Sequence, residues 1–271
     1  MAKEQYKNTC MFCGSKKPSK EHMFPQWLRN HISEKSHNKS FNRALTIRKA
    51  ETHISTQRFP KNSNNPILSL QTKKVCITCN NGWMSELESK IIPIYEKLKR
   101  KEFITISNDE AFTLGLWATM LAMKWDILET NTSGYTEPDT NYLYKYKSPP
   151  PNVRVWLGHC DQSGIVAWHR TYLHLTQYSP EQLTPNVRST TFMIGHIILH
   201  ILSHEDSSIN RIIRANEKNN RVVKIWPSAT AVDFNKPKIE RSTEETTKSM
   251  TIFCGMQHDS DYVHRLLQLL P

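Results

Sequence analysis

Four of the six cysteines in this 271-residue chain stand in two pairs, each with two residues between its members. Cys10 pairs with Cys13 in "CMFC", and Cys76 pairs with Cys79 in "CITC". The turn within such a pair brings both sulfurs to one side, so two pairs together supply four thiolates to a tetrahedral zinc ion. Zinc with four thiolate ligands has no open position, so we expect it to hold structure and to take no part in catalysis.

Three polar residues near these pairs are of types found in the active sites of enzymes that hydrolyse phosphodiesters. Glu21 and His22 follow the first pair in "KEHMFP", and Asn80 directly follows Cys79 in "TCNNGW". If zinc draws the pairs together, the three side chains can share one cleft. Carboxylate and amide oxygens suit Mg²⁺ or Mn²⁺, and a histidine titrates near neutral pH. We therefore expect Glu21 and Asn80 to bind a divalent cation and His22 to deprotonate the attacking water.

The combined pattern "CMFCG…KEHMFP…VCITCNNGW" resembles the HNH endonucleases of the His-Me finger superfamily, in the form whose CxxC pairs bracket a ββα-metal motif. The resemblance covers about residues 8–90. It implies a treble-clef-like zinc module in which Glu21 is the acidic metal ligand, His22 the general base and Asn80 the second metal ligand. It also implies that the cation polarises the scissile phosphate while His22 activates water for in-line attack.

The distribution of charge favours nucleic acid as the partner. Residues 1–101 contain 20 Lys and Arg against 7 Asp and Glu, whereas the other 170 residues contain 16 against 18. The basic excess therefore accompanies the cysteine pairs, where it can neutralise phosphates. We expect a metal-dependent nuclease that cuts DNA, with RNA still open. Two alternatives stay open: a zinc-stapled module that binds nucleic acid without cutting it, and a protein-interaction domain.

The hydrophobic pattern predicts an α+β protein that positions these residues. One amphipathic helix is expected from Gly82 to about Lys101, interrupted or kinked near Pro93, and a buried helix from Asp109 to Leu128. Short strands are expected within 41–72 and strand-like runs within 153–226, followed by a helix at 259–270. The predicted organisation is a zinc-bound nuclease module (1–101), a scaffold helix (102–130), a linker (131–152) and an α+β region (153–271). That last region could form a homo-oligomer or bind a regulatory partner.

Two further patterns bear on location and on metals. The chain starts without the apolar segment of a secretory signal, and its longest uncharged apolar run, 111–123, is too short to cross a bilayer. We therefore expect no membrane partner and a cytoplasmic location, where reducing conditions favour thiols or metal ligands over disulfides. His196, His200 and His204 fall in a strand-like run, where neighbours four residues apart lie about 13 Å from one another, too far to share an ion.

Overall fold

A small antiparallel sheet joins the two cysteine pairs, and it consists of β1 (Pro18–His22) and β4 (Gln71–Cys76). The structure is a computed structural model and describes residues 8–32, 37–48, 51–59, 67–100, 104–128, 134–173, 187–204, 222–228 and 231–233. Pro18 pairs with Cys76 at one end of this sheet, and His22 pairs with Gln71 at the other. The sheet therefore places the cysteines and the Glu21–His22 pair at opposite ends.

Helical structure begins directly after β4. A short turn α1 (Ile77–Cys79) passes through a wider π-type turn (Asn80–Met84) into α2 (Ser85–Lys99). The predicted start at Gly82 is too late, because the sulfur of Cys76 accepts a hydrogen bond from the Cys79 amide and caps the helix earlier. The predicted interruption is also wrong, since α2 continues through Pro93, whereas a kink there stays a prediction. Burial of the apolar face of α2 stabilises the helix by more than it loses from the one backbone hydrogen bond that proline cannot donate.

Helix α3 (Asn108–Asp126) is the buried helix that the sequence predicts. Ser107 and Glu110 form a reciprocal capping box at its start. Every residue from Leu114 to Asp126 is buried, and the helix packs against α2 and against three strands of the large sheet. Within the described part of the chain, no helix combines the length and the apolar character needed to cross a membrane.

The large sheet is built around one long strand, β6 (Val153–Leu173). The other members are β2 (His37–Arg48), β3 (Glu51–Phe59), β7 (Val187–His204) and β8 (Val222–Trp226). Their order is β3-β2-β6-β7, with β8 paired to the first half of β6. A separate short pair joins β5 (Thr105–Ile106) to β9 (Val232–Asp233). The strands expected within 153–226 are confirmed where the structure describes them, whereas the predicted helix at 259–270 lies outside the described residues.

The described contacts cross the predicted domain boundaries. Strand β2, from the segment assigned to the nuclease module, pairs in parallel with the second half of β6. One hydrophobic cluster also runs from the first cysteine pair through α2 and α3 to β6 and β7. The N-terminal segment therefore folds onto the C-terminal region, and the division of the chain into separate domains stays a prediction.

The predicted linker at 131–152 contains a helix, α4 (Glu137–Tyr146). Thr136 and Asp139 form a capping box at its start, a signal that the many turn-forming residues of this segment obscure in the sequence. The segment is also fixed to the core. The Asp126 carboxylate accepts hydrogen bonds from the Gly134 amide, and Arg188 donates to the Gly134 carbonyl oxygen over 2.6 Å. These contacts make 134–146 part of the packed structure.

Candidate functional site

The four paired cysteines converge at the Pro18–Cys76 end of the small sheet. The sulfurs of Cys10, Cys13, Cys76 and Cys79 all lie within 4.8 Å of one another, and those of Cys13 and Cys76 are 3.5 Å apart. A tetrahedral zinc ion with Zn–S bonds of about 2.3 Å places its sulfurs about 3.8 Å apart. The cysteines are therefore close enough to bind one metal ion with only small adjustments.

The first cysteine pair is held in a tight turn by backbone hydrogen bonds. The Gly14 amide donates to the Cys10 carbonyl oxygen over 2.9 Å, and the Cys10 amide donates to the Ser15 carbonyl oxygen over 2.8 Å. Gly14 has a φ of +72°, a left-handed conformation that glycine adopts without steric cost. The Met11 amide donates to the Lys74 carbonyl oxygen and so fastens the turn to β4. The local sequence thus orients the sulfurs of Cys10 and Cys13 toward the second cysteine pair.

Hydrogen bonds lower the pKa of two of these thiols. The pKa of Cys10 is lowered to about 4, first because the Cys79 thiol donates to its sulfur, although burial opposes the change. Burial also acts to raise the pKa of Cys76, but hydrogen bonds from the Ser15 side chain and the Cys79 amide lower it overall. The hydrogen bond from the Cys79 thiol to Cys10, together with burial, raises the pKa of Cys79. Anionic sulfur is the form that binds a metal, so the surroundings favour the ligand state at Cys10 and Cys76, and Cys79 would lose its proton when a metal binds.

Glu21 and His22 lie at the other end of the small sheet. Their partners on β4 are Thr72 and Gln71, and an irregularity in pairing precedes Glu21. At about 3.4 Å per residue, the length of β4 separates Gln71 from Cys76 by about 17 Å. The structure therefore brings Glu21 and His22 together but holds them away from the cysteines.

A buried lysine from α3 binds both residues. Lys124 is 0% exposed, and its Nζ lies 3.3 Å from Oε1 of Glu21, which is itself only 7% exposed. The same ammonium donates to the carbonyl oxygen of His22 over 2.7 Å. Because a buried carboxylate needs a counter-charge, Lys124 is the partner that burial of Glu21 requires, and its two contacts fix the end of β1.

The imidazole of His22 is positioned by two glutamines and lies half-buried at the surface. Its Nδ1 is 2.9 Å from Nε2 of Gln26, and its Nε2 is 3.0 Å from Nε2 of Gln71. The pKa of His22 is lowered, mainly by burial and further by the positive charges of Arg29 and Lys124, while Glu21 opposes the change. At neutral pH the ring is therefore uncharged, and one of its nitrogens has a lone pair that can accept a proton.

A second carboxyl group, Glu88 of α2, lies near this pair. Burial raises the pKa of Glu88 to about 7, and the negative charge of Glu21 raises it while Lys124 lowers it. Helix α2 thus brings a carboxyl group into the electrostatic field of Glu21.

Asn80 occupies the cysteine end of the module. It follows Cys79 directly, and its amide donates to the Ile77 carbonyl oxygen. Among the described residues, no hydrogen bond or ion pair joins Asn80 to Glu21 or to His22. The pairing register explains this, because Asn80 continues from the end of β4 opposite to His22. Its role as a metal ligand stays a prediction.

Lys124 is not among the residues that the sequence singles out, whereas the spacing of Glu88, two turns beyond Asn80, allows it to assist the cation. Lys124 is the one basic residue of α3 and is fully buried, and such a charge needs a buried partner. Glu88 lies three residues before Ile91 and four after Met84, both buried, so it shares their helix face. A charge within a buried stripe is therefore the signal that identifies both.

Comparison of the chain with protein-family models, with curated proteins and with solved structures found no match. Its function is therefore inferred from the residues themselves.

Proposed function

We propose that this protein is an HNH-type, metal-dependent endonuclease that hydrolyses phosphodiester bonds of nucleic acid, most simply DNA. The observation that supports it best is the state of His22. The ring is neutral at pH 7, lies at the surface and is oriented by two amides next to a buried carboxylate. A histidine prepared in this way is suited to general-base catalysis.

The four cysteines would hold a structural Zn²⁺ in a treble-clef-like module. Two features support this assignment: the Gly14 turn presents the first pair, and the second pair lies at the start of a helix after an antiparallel strand pair. Zinc binding would contribute on the order of 10 kcal/mol to the folding of this segment. A reducing compartment such as the cytoplasm would keep the sulfurs available as ligands.

In the proposed reaction His22 takes a proton from water through its unprotonated ring nitrogen, and the resulting hydroxide attacks phosphorus. The P–O bond to the leaving sugar oxygen then breaks, and that oxygen takes up a proton from solvent water. Gln26 and Gln71 orient the ring, and one of their amides gives up its hydrogen bond when water enters. The negative charge of Glu21 favours the imidazolium that forms. Lys124 holds the Glu21 carboxylate in place.

The predicted catalytic cation would be held by oxygen ligands at this end of the sheet. Oε1 of Glu21 accepts from Lys124, so Oε2 is the oxygen that we assign to Mg²⁺ or Mn²⁺. The resemblance implies Asn80 as the second ligand, but Asn80 lies at the cysteine end of the sheet, so we assign that place to Glu88, whose charge interacts with Glu21. When bound, the cation would polarise the phosphate and stabilise the leaving oxygen.

The substrate assignment rests on charge. Lys16, Lys17 and Lys20 are exposed between the first cysteine pair and Glu21. Lysines of this kind contact phosphates without regard to base sequence, so they position a nucleic acid without selecting it. The protein would bind DNA with an affinity that falls steeply as salt rises.

A cleavage assay tests the proposal. Zinc-loaded wild type and His22→Ala would be incubated with supercoiled plasmid in Mg²⁺, Mn²⁺ or EDTA. We expect nicking or linearisation by the wild type with a divalent cation, none in EDTA, and loss of cleavage in His22→Ala. His196→Ala is the matched control, since His196 is an exposed histidine on β7; this variant should cleave like the wild type.

The same preparations distinguish the alternatives. A folded, zinc-bound protein that shifts DNA but cuts with no cation would be a binding module. A protein that neither cuts nor shifts DNA would indicate a protein-interaction domain that acts through its C-terminal region.

A further inference from the structure

The end of helix α4 carries a group of aromatic and basic side chains at the surface. This aromatic–lysine surface consists of Tyr142, Tyr144, Lys145, Tyr146 and Lys147. The rings of Tyr142 and Tyr146 have centroids 4.6 Å apart and are tilted by 47° to one another, and Lys145 Nζ lies 5.1 Å from the Tyr146 centroid. Tyr146 is 56% exposed, which puts it among the most exposed large hydrophobic side chains of the described residues. The exposed Tyr146 ring, with Tyr142 beside it, offers aromatic surface to a ligand.

The surface adjoins the cysteine cluster. Lys147 Nζ lies 4.1 Å from the Tyr144 ring centroid and 5.1 Å from that of Trp83, which follows Cys79 by four residues. Trp83 in turn contacts Phe12, between the two cysteines of the first pair. The Trp83 and Tyr144 ring centroids are 6.4 Å apart. These contacts place the end of α4 beside the module that we assign to the nuclease.

The composition of the surface matches unpaired nucleic acid better than an apolar partner. Each base of a single strand exposes a π-face that stacks on tyrosine, and its phosphate attracts lysine. Lys145 supplies a positive charge beside the two tyrosines, while Lys16 and Lys17 are exposed beside the cysteines. A protein partner would instead require a larger apolar patch with charge at its rim.

We propose that the aromatic–lysine surface binds a single-stranded segment of nucleic acid, with bases stacked on Tyr146 and Tyr142 and a phosphate bound by Lys145. The inference rests on the proposed function, because it gives that nuclease a preference for substrates with unpaired bases, such as flaps, loops or melted ends. Helix α4 would guide the strand along the cysteine module, and duplex DNA, whose bases are already stacked, would gain little from the tyrosines.

Binding would be measured in EDTA, so that the result does not depend on cleavage. Fluorescence anisotropy would follow a labelled 12-nucleotide single strand and the duplex of the same sequence. We expect the single strand to bind wild type more tightly than the duplex. Tyr146→Ala should weaken single-strand binding by about 5- to 150-fold, the range for loss of one stacked base, and leave duplex binding within about 2-fold.

Two matched variants identify the cause of any loss. Tyr146→Phe keeps the ring and should bind like the wild type. Phe112→Ala removes an exposed aromatic that packs on Trp226 elsewhere in the fold, and it should leave binding unchanged.

Three results would overturn the inference: equal single-strand binding by Tyr146→Ala and the wild type, equal losses for single strand and duplex, or binding that is insensitive to salt. Cleavage that depends on His22 could persist in each case, so failure here is distinguishable from failure of the proposed function.

Discussion

Replacing Lys124 by methionine removes one ammonium from the buried junction between α3 and β1 and keeps a side chain of similar length. The variant leaves Glu21 without the group that lies 3.3 Å from its carboxylate. It also removes the donor to the His22 carbonyl oxygen. The change therefore tests whether a helix outside the predicted nuclease module maintains the Glu21–His22 pair.

The size of the effect follows from burial. Removing one partner of a fully buried ion pair costs about 3–5 kcal/mol, because the remaining charge is stranded away from water. Lys124 is 0% exposed and Glu21 is 7% exposed, so this range applies. We therefore expect the free energy of unfolding to fall by about 3–5 kcal/mol in Lys124→Met.

Urea denaturation of the zinc-loaded proteins measures this loss. The matched control is Lys97→Met, which breaks the Lys97–Glu110 pair; its atoms are 2.8 Å apart, closer than those of the Lys124–Glu21 pair, but its side chains are 37% and 26% exposed. That variant should lose about 0–1 kcal/mol, as partly solvated pairs do. The double variant Lys124→Met/Glu21→Gln should regain part of the loss, since it no longer buries an unpaired charge. Equal losses in Lys124→Met and Lys97→Met would refute the reasoning.

Three other predictions concern the metal, pH and packing. Cys79→Ala should bind well below the one zinc ion per chain that we expect for the wild type, as measured by elemental analysis. Full retention of zinc would contradict the four-cysteine site. His200 is buried with its pKa lowered to about 3 by loss of solvation, so between pH 6.5 and 3 only the unfolded chain binds its proton. The free energy of unfolding should therefore fall as pH falls, with a His200 contribution of about 1.4 kcal/mol per pH unit between pH 6 and 4. His200→Asn, which can still contact Thr191, should show a shallower pH profile in urea titrations; parallel profiles would disprove this contribution. Gly195→Ala should cost about 1–3 kcal/mol, because its φ is +63° and an added Cβ would lie 2.7 Å from the Tyr95 hydroxyl oxygen. Adding Tyr95→Phe should restore part of that stability, and no recovery would show that the backbone alone sets the cost.

Local signals predicted much of this fold. The spacing within "CMFC" and "CITC" predicted a metal-binding cysteine cluster, because the tight turn within each pair places both of its sulfurs on one side. The fold then needed only to bring these two turns together. Ser107 and Glu110 marked the start of α3 in the same way, through a contact between residues three apart. The histidines at 196–204 were expected in a strand, and β7 confirms it.

Contacts between segments far apart in the chain could not be predicted from the sequence. Lys124 and Glu21 are separated by 103 residues, and no periodicity reports that they meet. The register of β1 on β4 likewise decides that His22 lies opposite Gln71, and so away from Asn80. Strand β2 shows the same limit, because its parallel partner β6 is far along the chain. Tertiary packing therefore determined the surroundings of the candidate site, while the sequence indicated its chemistry.

Single-turnover cleavage of plasmid DNA by zinc-loaded wild type, His22→Ala and His196→Ala tests the central claim most directly. With Mg²⁺ or Mn²⁺ present, loss of a general base should slow His22→Ala by about 10²- to 10⁴-fold, while His196→Ala cleaves at the wild-type rate. Equal rates for His22→Ala and the wild type would contradict the assignment of His22. Absence of cleavage by a folded, zinc-bound wild type with either cation would contradict the proposed nuclease itself.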